Sequence, residues 1–157
     1  KSLSSANAKI GNYPFTTLKP QLGVVRSEEK DVIIADLPGL IKGASDGIGL
    51  GHKFLAHIER CKYIIHMCDI SLPVNQILSD YNIIRKELLK YGDITGSKKE
   101  ILVFNKSDLI SREKISQKLK NLKAIFKQKN IVISCKNKLG LKELVKQILE
   151  LFKKSNE

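Results

Sequence analysis

Four residues in the middle of the chain, Asn105-Lys106-Ser107-Asp108, have the types and spacing needed to read a purine. A carboxylate lying in the plane of the base accepts from both the N1–H and the N2 amine of guanine, and adenine offers no such pair of donors. Asn105 and Lys106 would brace the neighbouring loop and cover the ring. The quartet follows directly on an apolar run, a coincidence that chance seldom supplies. A second cluster, Asp36-Leu37-Pro38-Gly39, also ends an apolar run. There an Asp can hold the water shell of Mg²⁺, and a flexible Gly can turn its backbone N–H toward a terminal phosphate. Read alone, the same four residues describe a simple turn.

Three weaker groups complete the set. In Ser134-Cys135-Lys136 the backbone N–H of a small residue can meet the guanine carbonyl while the Lys stem covers the ring. Pro14-Phe15-Thr16-Thr17-Leu18 lies in a polar loop, where a threonine hydroxyl can ligate Mg²⁺ and its backbone can sense a third phosphate; a hydroxyl-rich turn has the same composition. Lys1-Ser2 opens a short helical stretch, and a Lys and a hydroxyl at a helix N-terminus suit phosphate and Mg²⁺. As a bare dipeptide it carries no weight.

These groups need a scaffold that brings strand ends together, and the pattern of the chain supplies one. Short apolar runs alternate with longer amphipathic stretches, the signature of an α/β fold with a parallel sheet. Strands are expected at Gly23 to Ser27, Val32 to Asp36, Tyr63 to Asp69, Ile101 to Asn105 and Ile131 to Ser134. Only Glu28, Glu29, Lys30 and Asp31 separate the first two, so they should form an antiparallel hairpin. The others require crossover helices, expected at Leu50 to Arg60, Val74 to Tyr91, Ser111 to Lys129 and Leu139 to Lys153. Ile115, Leu119, Leu122 and Ile125 to Phe126 mark the core stripe of the third helix. Leu141, Leu144, Val145, Ile148, Leu149 and Phe152 mark that of the fourth. Ligands of such sheets gather at the carboxyl ends of strands, where the chemical groups stand.

The 157 residues fit one domain, and no apolar run approaches the roughly 18 to 20 residues that cross a bilayer. Three cysteines without a close pair, and a start lacking a signal-peptide core, fit reduced thiols in a cytoplasm. Residues 1–110 carry 15 basic and 12 acidic side chains, whereas residues 111–157 carry 13 and 4, so most of the net +12 lies in the last third. Such a surplus attracts polyphosphate, RNA included; a solvated helix face accounts for it equally. Lys118, Lys123 and Lys127 are the lysines expected to share an RNA-facing surface. His57, His66, Cys61 and Cys68 are expected to be packed rather than reactive. His52 has no second ligand at metal-binding spacing.

The order KS, TT, DxxG, NKxD, SCK resembles that of a P-loop GTPase with a Ras-like G domain: a mostly parallel sheet with one antiparallel hairpin and helices on both faces. More narrowly, YPFTTLKPQLGVV, DLPGLIKGASDGIGLGHKFLAHIER and NKSD are similar to the Obg family of ribosome-associated GTPases across essentially the whole chain, with the glycine-rich stretch Gly43 to Gly51 as the most specific signature. The resemblance implies an Mg²⁺-dependent enzyme hydrolysing GTP to GDP as a switch in large ribosomal subunit assembly, with the large subunit and its RNA as partners and no DNA sequence specificity. It implies Lys1, Thr17 and Gly39 in catalysis and Ser2, Thr17 and, through water, Asp36 on the metal. Nucleotide contacts would come from Lys1, Ser2, Phe15, Thr16, Thr17, Leu18 and Lys19, from Asp36, Leu37, Pro38 and Gly39, from Asn105, Lys106, Ser107 and Asp108, and from Ser134, Cys135 and Lys136.

Two departures from the family pattern stand out. The chain starts at the KS of the family's GxxxxGKS loop, without the preceding strand or the glycine-rich N-terminal domain, so residues 1–157 are expected to be a G domain truncated within that loop and to bind nucleotide poorly alone. Cys135 stands where Ala is usual. Leu40 follows Gly39 where many GTPases keep a water-orienting Gln, implying slow unassisted hydrolysis. The competing reading is a non-catalytic ribosomal RNA-binding module with a degenerate nucleotide site. An intact guanine-reading carboxylate argues against that module, and also against the ATP-hydrolysing sister family.

Overall fold

The computed structural model describes residues 21–26, 31–36, 58–90, 92–127 and 129–154. Strands β1 (Gln21–Arg26) and β2 (Asp31–Asp36) pair antiparallel, from Gln21 opposite Asp36 to Arg26 opposite Asp31. The chain then runs through β3 (Tyr63–Asp69), helix α1 (Val74–Lys90), the single turn α2 (Asp93–Gly96), β4 (Lys99–Asn105), α3 (Arg112–Ile125), β5 (Asn130–Val132) and α4 (Leu141–Lys154). Strands β3, β4 and β5 form a parallel sheet with β4 in the middle. Among the described residues the hairpin is a sheet of its own, joined to the parallel strands by side-chain packing.

Central placement explains the sequence of β4. Ile101, Leu102, Val103 and Phe104 are all buried, so the run is continuously apolar rather than alternating. Successive side chains leave on opposite faces. Ile101 and Val103 pack with Ile131, Ile133 and the α4 stripe Leu141, Leu144 and Ile148, and Val25 and Val32 of the hairpin join that cluster. Leu102 and Phe104 pack on the other face with Cys68, Ile70, Ile77 of α1 and Leu122 of α3. Helices therefore cover both faces, as expected. Truncating a side chain as enclosed as Leu102 to Ala would cost about 2–5 kcal/mol.

Several boundaries differ from expectation. Helix α3 stops at Ile125, not Lys129, because Phe126 turns to an extended conformation (φ −93°, ψ 101°) and buries its ring against Tyr81, 4.7 Å between centroids. Ile125 is consequently exposed, although it had been assigned to the core stripe. Leu139 does not begin a helix. It pairs with Ser134 in an isolated antiparallel bridge and is exposed; Gly140, at φ +70°, turns the chain into α4. Strand β5 ends at Val132, two residues early, although Ile133 N–H still donates to the Phe104 carbonyl at 2.8 Å. Cys61 is half-buried rather than enclosed, because it lies in the turn before β3, where its carbonyl accepts from Lys98 Nζ at 2.7 Å.

On the α1 side of the sheet a charged group is enclosed. Glu100 accepts from the Tyr81 hydroxyl and lies 3.5 Å from His66 Nδ1 and 3.6 Å from Arg85 Nη1. Burial raises the Glu100 carboxyl, and the contacts of His66, Tyr81 and Arg85 outweigh it, leaving the group below its ordinary value. His66 is packed, as expected, stacked on Tyr81 at 4.7 Å.

Candidate guanine-reading site

The carboxyl ends of β3 and β4 and the residues after β5 meet at one edge of the parallel sheet. Parallel register sets Asp69 opposite Asn105, and Ile70 N–H donates to the Asn105 carbonyl at 3.0 Å. Beyond Asn105 the chain turns at once. Lys106 adopts a left-handed conformation (φ 64°, ψ 32°), and Ser107–Leu109 form a single 3₁₀ turn with Leu109 N–H on the Lys106 carbonyl. The reversal brings Asp108 back toward the loop after β5, where Ser134 Oγ donates to its Oδ1 at 2.5 Å. Ser134 is fully enclosed, and its oxygen accepts from Asn137 N–H at 3.0 Å. The Asn105 side chain spans the same gap, its Oδ1 accepting from Cys135 N–H at 3.0 Å. Ser107 N–H reaches the Ile133 carbonyl at 3.2 Å.

The electrostatics keep the acceptor ionised. The Ser134 hydroxyl chiefly, with the ammonium groups of Lys136 and Lys106 adding to it against slight desolvation, holds the Asp108 carboxyl below the ordinary range. Asp108 is thus a fixed acceptor beside two basic side chains, the chemistry that two N–H donors in one plane require. Cys135 and Lys136 lie in the turn closed by reciprocal hydrogen bonds between Ser134 and Leu139, both 3.0 Å. The structure therefore brings Asn105, Lys106, Ser107, Asp108, Ser134, Cys135 and Lys136 into one neighbourhood.

A family model described as 50S ribosome-binding GTPase matches residues 1–106, two thirds of the sequence. The chain belongs to this family. Within it the chain resembles Obg, as its motifs implied: the GTPase Obg of Rickettsia massiliae is 44% identical over 151 residues, 96% of this chain, and that of Rickettsia prowazekii is equally similar. The chain spans 45% of the length of these relatives. Among solved structures, the cytosolic domain of the T. maritima FeoB iron transporter covers 96% of the chain at TM-score 0.67 and 21% identity, with 56% of its own length matched. Era from Aquifex aeolicus covers 95% at TM-score 0.63 and 19% identity, with 50% of its own length matched. These two likenesses establish the α/β fold of the chain.

Other expected site residues are distributed differently. Asp36 ends β2 with an exposed side chain. Lys1, Ser2, Phe15, Thr16, Thr17, Leu18, Lys19, Leu37, Pro38 and Gly39 lie outside the described residues, as do Leu40, His52 and His57. Among the described residues no group of three His, Cys, Asp or Glu could hold a metal ion, and no helix is long and apolar enough to cross a membrane.

Two residues carry more of the site than their sequence suggested. Asp69 read only as a break in an apolar run; its Oδ2 accepts from Lys106 Nζ at 2.6 Å, and its Oδ1 accepts from Ser71 N–H and Oγ. Desolvation raises the Asp69 carboxyl, but the Lys106 and Ser71 contacts more than offset this, so it sits below its ordinary value. Its signal was positional: it ends β3 as Asn105 ends β4. Lys118 corrects the expected RNA-facing trio. Its ammonium is engaged inside the fold, on three carbonyls, whereas Lys123 and Lys127 are exposed.

Proposed function

We propose that the protein is an Mg²⁺-dependent GTPase that hydrolyses GTP to GDP and phosphate and acts as a switch in assembly of the large ribosomal subunit, in the cytoplasm. One observation carries the reading: Asp108, ionised and held by the enclosed Ser134, beside an Asn105 side chain that accepts from Cys135 N–H. A degenerate site in a passive RNA-binding module has no use for an acceptor held this firmly. The Lys106 and Lys136 stems cover the two faces of the base, and the guanine carbonyl shares the Cys135 N–H from which Asn105 Oδ1 accepts.

Residues 1–157 form one G domain in this reading. Lys1, Thr17 and Gly39 act on the terminal phosphate; Ser2 and Thr17 ligate Mg²⁺, with Asp36 holding its water shell. The exposed Asp36 carboxylate at the end of β2 fits, since Mg²⁺ takes hard oxygen donors and keeps several waters. Bound there, Mg²⁺ would neutralise charge on the phosphate oxygens. Leu40 has no hydrogen bond with which to align an attacking water, so unassisted turnover is slow, near the roughly 10⁻⁴ s⁻¹ scale of small GTPases. The large ribosomal subunit and its RNA are the proposed partners, supported by the basic last third.

The deciding experiment inverts the base preference. Xanthine replaces the exocyclic amine of guanine by a carbonyl, so Asp108→Asn supplies the donor that xanthine needs and loses the second acceptor that guanine needs. In the full-length protein this substitution should exchange GTP for xanthosine triphosphate, by roughly 10⁴-fold in relative affinity. Competition binding that leaves the preference for GTP intact would remove Asp108 as base reader and the proposed function with it.

A further inference from the structure

Lys118 ends in three hydrogen bonds. Its Nζ donates to the carbonyls of Ile70 at 2.9 Å, Ser71 at 3.1 Å and Leu72 at 2.6 Å, which uses all three donors of an ammonium group. Three consecutive carbonyls drawn onto one point define the path of the turn between β3 and α1. That turn carries the Asp69 carboxylate and clamps it from its own side, through Ser71 N–H at 2.9 Å and Ser71 Oγ at 2.6 Å on Oδ1. The remaining oxygen, Oδ2, faces Lys106 Nζ at 2.6 Å.

Lys106 needs such a partner. Its side chain is more than half exposed and rotamer-rich, so nothing else in these contacts keeps its stem over a base. We propose that Lys118 is a positioning residue for nucleotide binding: by fixing the turn after β3 it sets Asp69 where the carboxylate holds the Lys106 stem against the purine ring. The inference rests on the guanine-reading function proposed above. It differs from a plain packing role, in which Lys118 would only fasten α3 to the sheet.

The two roles separate in a double-mutant cycle on the full-length protein, read by titration with fluorescent guanosine diphosphate. Lys118→Met keeps the aliphatic stem and removes the donors. If Lys118 acts through Lys106, it should weaken binding about tenfold in the wild-type background and less than about twofold when Lys106→Met is already present. Lys118→Arg, which still donates to carbonyls, should restore most of the affinity. The ratio of guanosine to inosine diphosphate affinities should not change, because the N2 amine is read by Asp108 and not by Lys106. An equal loss in both backgrounds, or no loss in the first, overturns the proposal. Should Lys118→Met fail to fold, Asp69→Asn enters the same cycle with the same expected pattern. A wild-type protein with no preference for guanosine over adenosine diphosphate would instead refute the guanine-reading function, so the two failures are distinguishable.

Discussion

Gly140 is the hinge on which the Ser134–Leu139 loop turns into α4, and Gly140→Ala should damage both stability and nucleotide binding. At φ +70° the position is left-handed, which costs an L-residue roughly 1–2 kcal/mol. The added Cβ would lie 2.3 Å from the Val132 carbonyl oxygen, and ordinary contact begins at 3.4 Å, a deficit of about 1.1 Å. The offending atom is backbone of β5, so it cannot swing away; overpacking of this kind adds about 1–3 kcal/mol. Together the loss is about 2–5 kcal/mol, or roughly 5–15 °C in the midpoint of thermal release of bound fluorescent guanine nucleotide. Relief must come from moving the loop, which draws Ser134 from Asp108 and lowers affinity as well. Gly140→Asn separates the two causes: Asn tolerates left-handed backbone but brings the same Cβ, so it should keep the steric part of the loss, about 1–3 kcal/mol. Lys138, at φ 56°, is the control, since Lys138→Gly should stabilise by about 0.5–1 kcal/mol. A Gly140→Ala protein with wild-type melting and affinity would refute the steric account.

Glu100→Gln should destabilise by about 3 kcal/mol at pH 7, because it leaves Arg85 and His66 around a neutral group. The native carboxyl lies below its unfolded value, so its contribution is present above about pH 4.5 and is lost as pH falls through the lowered native value. Urea denaturation should therefore show the wild-type and variant curves converging in acid; a gap that is constant from pH 7 to pH 3 would contradict this. Charge reversal at the exposed Lys123 and Lys127 should lessen the salt dependence of ribosome association, without affecting guanine nucleotide affinity. Sedimentation with an unchanged salt slope would return both to a solvated face.

Strand existence and the place of the NKSD motif at a strand end were legible because each is a local pattern. The run Ile101 to Phe104 announces a strand buried on both sides, and NKSD stands directly after it. What escaped the sequence were partnerships made between elements. Nothing near Asp69 names Lys106, since the pair arises from the register of β3 against β4. Lys118 looks like any lysine at helical spacing, and only the approach of α3 to the turn after β3 directs it inward. Helical periodicity runs on through Ile125 and Phe126 and so overstates the length of α3, whereas the ring of Phe126 gains more by turning inward toward Tyr81. Leu139 was expected to open α4, but its backbone is taken by the bridge to Ser134.

The register of the parallel strands also has a kinetic consequence. The side-chain contacts of Lys106 with Asp69, Ser134 with Asp108 and Asn105 with Cys135 join residues 26 to 37 positions apart, across two crossovers, and none of the three forms within a single hairpin or helix. A slip of one residue between β3 and β4 would set Cys68 in place of Asp69 opposite Asn105 and send alternate side chains to the wrong face. Long-range parallel pairing of this kind closes late and slowly. If the proposed function holds, guanine nucleotide recognises the chain only after its sheet has reached the native alignment, and binding selects that alignment over every shifted one by mass action.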